Sequence, residues 1–408
     1  MSDKPRICLF EDAGWRGLLP ITWLHSPCEL LFGAYTILQR IERVFPGVSI
    51  YFAGRPWIGP VMGERYGLES PPSGSRFLFI NARLMDVAAV RDLALKDDDD
   101  FAAWNENTLI AARCSFPKEP VTGESFIRSI QEMKIPRIEC VERTIDRWWD
   151  AIYTQEEFLG VDARDFSRDR DEYGPRNDTG VFLNPEAVFV SKTTQIDPGA
   201  VIDARKGPVI IDNDTHIGSG AILVGPLYIG PHCLVKPLSH IGPDVSLGPF
   251  SKVGGEVARS VFLGYANKQH YGFLGHAYIS NWVNLGAGTT NSNLKNTYGN
   301  VHVWVDGGFE DSGKTFVGCA VGDHSKTAIG TTLNTGTVIG ISCNVFEHGF
   351  PPKFIPSFSW GSTGVYDLEK ALATAAQVMI RRNKALTHAE NDLIRTVWSK
   401  RGRRRNAE

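Results

Sequence analysis

The residues best suited to chemistry in this chain are gathered between Tyr265 and Asn296, in the stretch YANKQHYGFLGHAYISNWVNLGAGTTNSNLKN. His270, Lys268, Asn284, Asn291, Asn293 and Lys295 stand there around a Gly-Ala-Gly turn at 286–288. An imidazole, which titrates near neutrality, suits removal of a proton from an attacking amine or hydroxyl. The amides of a Gly-Ala-Gly turn suit a carbonyl or thioester oxygen that gains charge. The same residues also have a plain structural use. A histidine can be hydrogen-bonded within a coil, and asparagines are common at turns because they tolerate a left-handed backbone. A second, weaker candidate lies near the N-terminus, where Glu11, Asp12, Gly14, Arg16 and Gly17 follow the apolar run RICLFE. An α/β sheet holds phosphates at such strand ends. Gly14, Arg16 and Gly17 are the candidate nucleotide-binding residues, and Asp12 is the candidate Mg2+ ligand. Neither GxGxxG nor GxxxxGK[ST] is present, and a surface turn explains the loop equally well.

What must position the first group is a repeat. Val190, Ile196 and Ile202 are six residues apart, a nine-residue step leads to Ile211, and the six-residue spacing then runs through Ile217, Leu223, Ile229, Val235, Ile241 and Leu247 to Val253. Six is no multiple of the helix period but is a multiple of the strand period, so the series can point to one side. Stacked strand-and-turn units sharing one core are expected, a solenoid of parallel β coils. Glycine directly after Ile217, Ile229, Ile241, Leu247 and Val253 would relieve the turns. His216, His232 and His240 are expected at turn positions. Phe273, Ile279 and Leu285 resume the spacing, Asn291–Thr315 departs from it, and Val321, Thr327, Leu333, Ile339 and Val345 take it up again. Insertions in a solenoid map to loops on one face, often the binding face.

The first 180 residues alternate strand and helix patterns. Strands are expected at Arg6–Glu11, Val48–Ala53 and Phe77–Ile80. Helices are expected through Leu30, Leu31, Ala34, Ile37, Leu38 and Ile41, then over Val87–Leu95 and Ser125–Met133. Such alternation predicts a parallel sheet covered on both faces. The acidic run Asp97–Asp100 reads as a solvated loop, and the polar stretch Asp165–Gly180 as a linker. From Tyr366 to Lys400 a helix is expected, with Leu368, Leu372, Ala375, Val378 and Met379 on one stripe and a basic ending at Arg401–Arg405. A net charge of −3 over 408 residues gives no global attraction to nucleic acid. No apolar run is long enough for a membrane span, the first residues lack the layout of a signal peptide, and seven scattered cysteines without a CxxC give no zinc site. A cytoplasmic protein is expected.

The hexads followed by HYGFLGHAYISNWVNLGAGTTNSN resemble the acetyltransferase half of the bifunctional N-acetylglucosamine-1-phosphate uridylyltransferase/glucosamine-1-phosphate acetyltransferase family. LLPIT, FLFINARL, KVGGEV, NSNLKNTYG and FIPSFSWG make the chain similar to a bacterial sugar nucleotidyltransferase branch of it. The resemblance implies a Rossmann-like nucleotidyltransferase domain, a left-handed parallel β-helix and a homotrimer. It also implies that His270, ahead of Phe273-Leu274-Gly275, is the general base for an amine attacking acetyl-CoA. Asn284 and Asn293 become substrate-contacting residues, Ala287 a backbone contact to the acetyl group, and Lys252 a sugar-phosphate contact. Some family features differ: the Gly-rich loop with its downstream Pro-Lys is replaced by EDAGWRGLLPIT, Asn81 stands where a metal-binding aspartate is expected, and Leu294 replaces a tyrosine.

The expected architecture is therefore α/β plus β: a nucleotidyltransferase-like domain over 1–180, a left-handed β-helix over 181–362, and a C-terminal helix with basic tail over 363–408. The expected function is a transferase of sugar-nucleotide biosynthesis, acting on a sugar phosphate and a nucleoside triphosphate with acetyl-CoA and Mg2+, and binding neither nucleic acid nor membrane. Its rivals are a nucleotidyltransferase with the β-helix as trimerisation scaffold, and a non-catalytic binding protein of the same architecture.

Overall fold

The computed structural model describes residues 6–96, 99–117, 123–169, 172–174 and 180–401. In the N-terminal domain, strand Ile7–Phe10 pairs in parallel with Ile50–Ala53 and Arg76–Asn81. Its side chains alternate: Ile7 and Leu9 enter one core, while Cys8 and Phe10 enter another with Phe77, Phe79 and Phe126. The sheet is mixed rather than parallel. Phe101–Asn105 and Thr108–Ser115 form a hairpin, and Thr108–Ser115 runs antiparallel to Arg76–Asn81. The helix expected from Leu30 begins only at Ile37, where Thr36 and Gln39 form a capping box. Leu31–Phe32 and Tyr35–Thr36 are instead a tight hairpin, because Leu30, Leu31 and Ala34 are apolar for contact with other parts of the chain. The expected linker from Asp165 starts inside helix Gln155–Arg168, and Tyr173–Gly174 pairs with Val190–Ser191. Of the acidic run, Asp97 and Asp98 lie outside the described residues, and Asp100 pairs with Arg76 at 2.8 Å.

The hexads build a β-solenoid whose coils stack into three sheets. The expected inward series from Val190 to Val253 is buried throughout, with Ile196 at its rim. Beyond it one position differs, since Leu274 and not Phe273 points inward beside Val257, while Ile279, Leu285, Val321, Leu333, Ile339 and Val345 enter the core as expected. The glycines after the hexad aliphatics serve coil-to-coil approach more than backbone freedom. A Cβ on Gly248 would stand 2.0 Å from the Leu263 carbonyl of the next coil. Left-handed corners fall instead to residues such as His232, Phe250, Tyr265, Trp282 and His324. Their rings stack in a column, with centroids 4.2 Å apart between Tyr265 and Trp282, which offsets part of the strain of that conformation. Of the three histidines expected at turns only His232 is at one; His216 and His240 begin strands. The departure after Asn291 contains the hairpin His302–Val305 and Gly308–Asp311.

The single C-terminal helix of the sequence reading is two, Leu368–Ile380 and His388–Lys400, the second capped by Thr387 and Glu390. The tail beyond Arg401 lies outside the described residues. Among the described residues no helix is long and apolar enough to cross a membrane.

One solenoid face is covered by the chain itself. Phe189, Ile210 and Tyr228 pack against Tyr35, Leu159 and Phe166, while Val261, Tyr278 and Val338 join the main N-terminal core. Within this junction the His25 imidazole is buried between carboxylates, with Nε2 2.7 Å from Asp323 and Nδ1 3.3 Å from Glu29. Arg65 also approaches Nδ1 at 3.2 Å. A guanidinium only donates, so the charged imidazole directs its Nδ1–H to Glu29. Burial opposes the charge, but Asp323 and Glu29 outweigh it and raise the His25 pKa from 6.5 to about 9. A raised histidine pKa stabilises the fold fully below pH 6.5 and loses that contribution as pH passes 9. The expected loss between these limits is on the order of 3 kcal/mol. Urea unfolding as a function of pH checks it, and His25→Gln should flatten the profile over that window.

Candidate active site

The exposed corner between two solenoid sheets carries His270. Strand Asn267–Lys268 ends one sheet and Phe273–Gly275 begins the next, leaving His270 and Tyr271 at the bend, both exposed. The Gly-Ala-Gly turn sits one coil further on, and Gly288 N–H donates to the Tyr271 carbonyl at 3.1 Å. Gly288 has φ +75, and a Cβ there would lie 3.0 Å from the Tyr271 hydroxyl. Glycine therefore meets both the conformation and the close ring. Gly286 N–H is used by Thr327 Oγ1, whereas the Ala287 carbonyl accepts from Gly330 N–H. Among the described residues this leaves the Ala287 N–H as the amide of the turn without a partner in the chain. Leu238, Tyr271 and Ile329 occupy the same corner on different coils and are 83%, 72% and 80% exposed.

Beside this corner runs an outward row. Lys252 pairs with Asn267, Asn267 with Asn284, and Asn284 with Lys326. Lys252 and Asn284 therefore flank Asn267 on the coils before and after it, and His270 follows Asn267 by three residues. Asn293 is not in this row. It lies at the far end of strand Phe273–Gly275, where its amide donates to His276 Nδ1 at 2.9 Å. Burial and then Arg259 pull the His276 pKa down to about 4, so this imidazole is neutral and acts as an acceptor. Asn291 clamps two coils, its amide exchanging two 2.8 Å hydrogen bonds with Gly275.

Lys268 occupies an aliphatic slot of the inward row, 2% exposed, between Val253 and Leu285. Its ammonium donates to the carbonyls of Gly254 and His270, each at 2.8 Å. Burial lowers its pKa to about 8, so the group remains charged at neutral pH. The stretch that contains it was legible in sequence, but its inward orientation was not.

The N-terminal candidates have a different setting. Gly14, Arg16 and Gly17 lie in a short 3-10 turn, Ala13–Leu18, in which Trp15, Gly17 and Leu18 are buried. Arg83 donates to both Asp12 oxygens at 2.7 and 2.6 Å, while Asn81 and the Gly14 amide add further hydrogen bonds. Burial raises the Asp12 pKa, but Arg83 reverses that, and the net direction is down. The guanidinium lies against Gly14, where a Cβ would meet it at 2.3 Å. Glu11 is likewise held by Arg55. The Asp12 carboxylate expected to bind Mg2+ is thus the partner of an arginine, and this donor set does not fit the ion. Arg16 faces the hairpin residue Asp306 at 3.9 Å. Among the described residues no group of three His, Cys, Asp or Glu is arranged to hold a metal.

Residues 7–171 match a family described as sugar nucleotidyl transferase. Over 147 residues the chain is 35% identical to the bifunctional sugar-1-phosphate nucleotidylyltransferase/acetyltransferase of Sulfurisphaera tokodaii, covering 35% of this chain. The match spans 36% of that relative's length, about a third. These matches and the β-solenoid fit the family that the sequence resembles. Similar solved structures include a mutant GDP-perosamine N-acetyl transferase of Caulobacter crescentus in complex with CoA and GDP-perosamine. That match has 12% identity and a TM-score of 0.16 and covers 74% of this chain and 88% of that one. The UDP-N-acetylglucosamine acyltransferase of Francisella novicida matches at 12% identity and a TM-score of 0.17, over 50% and 74%. At these scores the solenoid rests on this chain's own strand pairing.

Replacing Lys268 by Met should leave the buried Gly254 carbonyl and the part-buried His270 carbonyl without that donor. The expected cost is ~2 kcal/mol of unfolding free energy in urea titration. Unchanged stability would show that water or the backbone satisfies those carbonyls.

Proposed function

We propose that the chain is a transferase of sugar-nucleotide biosynthesis whose solenoid moves an acetyl group from acetyl-CoA to an amino sugar 1-phosphate. The observation that carries this reading is the His270 corner, where an exposed imidazole, the Ala287 N–H and the Lys252 row lie on neighbouring coils. The sugar amine attacks the thioester carbonyl, His270 takes the amine proton, and the Ala287 N–H faces the oxygen that gains charge. The carbon–sulfur bond then breaks and CoA leaves as thiolate. Lys252 and Asn284 are the sugar-phosphate and substrate contacts in this reading. Asn293 acts through His276 rather than at the corner. The exposed Leu238, Tyr271 and Ile329 suit a contact between copies of the chain, in keeping with a homotrimer. A cytoplasmic location would supply the acetyl-CoA.

For the N-terminal domain the family match supports nucleotidyl transfer from a nucleoside triphosphate to a sugar 1-phosphate, with Gly14, Arg16 and Gly17 at the nucleotide. The hold of Arg83 on Asp12 favours a second reading, a domain that keeps the architecture without metal-dependent turnover.

Two product assays separate these readings. Acetyl-CoA with glucosamine 1-phosphate should release free CoA, and His270→Ala should lower the rate at least ~100-fold without moving the melting temperature. CoA release as fast as in the wild type would remove His270 as the general base. Pyrophosphate release from nucleoside triphosphates with sugar 1-phosphates tests the N-terminal domain separately.

A further inference from the structure

The solenoid hairpin His302–Val305 and Gly308–Asp311 turns through Asp306 and Gly307, both at positive φ. An Asp-Gly pair in that conformation is a favoured two-residue hairpin turn, so the arm is short and preformed. Its base is apolar: Val301 and Val303 are buried in the main N-terminal core, and Trp304 stacks on Phe354 with centroids 4.4 Å apart. Its charged end reaches the N-terminal turn Ala13–Leu18. Asp306 faces Arg16 at 3.9 Å, and Glu310 accepts from both Nε and Nη2 of Arg147, the latter at 3.0 Å. Gly17 ties these two arginines to one spot, since it follows Arg16 and a Cβ on it would stand 2.5 Å from Arg147 Nη1.

These pairs are unlike the neighbouring ones. Arg55 with Glu11 and Arg83 with Asp12 are buried, and loss of either partner would strand a charge. The side chains of Arg16, Asp306, Arg147 and Glu310 are 43%, 29%, 34% and 35% exposed. Ion pairs this wet add little to the stability of a fold, so the apolar base anchors the hairpin and the pairs at its end can exchange for another anion. Glu310 grips the Arg147 fork with two oxygens, the geometry that a phosphate also uses. The arm therefore sets phosphate-like groups on the Gly-containing turn at which the N-terminal domain would receive a nucleotide.

We propose that the hairpin is an autoinhibitory clasp, in which Asp306 and Glu310 hold Arg16 and Arg147 in place of the phosphates of a nucleoside triphosphate. The clasp rests on the reading of Gly14, Arg16 and Gly17 as the nucleotide turn. A triphosphate must displace the carboxylates before it can use both arginines, which lowers its apparent affinity by the fraction of chains already open.

Calorimetric titration of the full chain with inorganic tripolyphosphate tests the clasp. The double variant Asp306→Asn/Glu310→Gln should bind it about tenfold more tightly than the wild type. The control pair Glu139→Gln/Glu369→Gln makes the same change of charge on other elements and should bind as the wild type does. An equal gain in the control pair, or no gain in a double variant with wild-type melting temperature, overturns the inference. Should the double variant melt early, Asp306→Asn alone decides by the same comparison, with an expected gain of about threefold. Tighter tripolyphosphate binding without pyrophosphate release from any nucleoside triphosphate and sugar 1-phosphate would sink nucleotidyl transfer and leave the clasp standing. Pyrophosphate release at the same KM for the triphosphate in wild type and double variant would do the reverse.

Discussion

Hydrogen bonding between successive coils places each solenoid residue beside its counterpart on the coils before and after. Because of this stacking, positions far apart in the chain become a fixed column in space. The inward column is nearly all aliphatic, from Val190 through Leu247 and Ile279 to Ile339. The outward column Lys252, Asn267, Asn284 and Lys326 is produced by the same pairing. Coils of unequal length change which side chain faces inward locally, as Leu274 in place of Phe273 shows, and the pairing then returns Ile279 and Leu285 to the inward column. The geometry of the His270 corner depends on that register, because Tyr271 and Gly288 meet only if both coils are in step.

The two halves of the molecule treat their polar groups in opposite ways. At the strand ends of the N-terminal domain, Glu11 and Asp12 are saturated by Arg55 and Arg83, and the Trp15 ring packs against the Arg55 guanidinium. Charges buried in this manner are stable because each is paired, and they are correspondingly unavailable. At the solenoid corner, His270, Asn284 and the Ala287 amide are left open to solvent, while Lys268 supports the backbone from inside. The junction joins the halves through His25, Asp323, Glu29 and Arg65, so the position of the open corner relative to the closed sheet is held by buried charge.

Much of the solenoid was readable because every strand needs an inward aliphatic residue, and a period of six announces it. The slip at Phe273 was hidden by Lys268, which takes an aliphatic slot and pairs its ammonium with carbonyls that no pattern of side chains reveals. Leu30, Leu31 and Ala34 looked like a helical stripe, yet they are apolar for long-range reasons; the Leu31 amide donates to Tyr278 in the solenoid. A helical stripe and an interdomain contact look alike in sequence, since both need only closely spaced apolar residues. The hairpin Phe101–Asn105 and Thr108–Ser115 went unseen because its first strand follows the acidic run and its second is rich in alanine.

From its sequence alone, the chain was set as an α/β domain followed by a stacked β solenoid, with the candidate site residues of the solenoid in the stretch that interrupts the hexads. Local periodicity and composition suffice for that, because each coil repeats the same short-range requirement. Only the tertiary structure decided which of the gathered residues share a site. It set Lys252 and Asn284 on either side of Asn267, sent Asn293 to His276, gave Asp12 to Arg83, and brought Arg382 over Asn267. These pairings depend on coil register and on chain segments packed from far away, and no local pattern of residues carries that information.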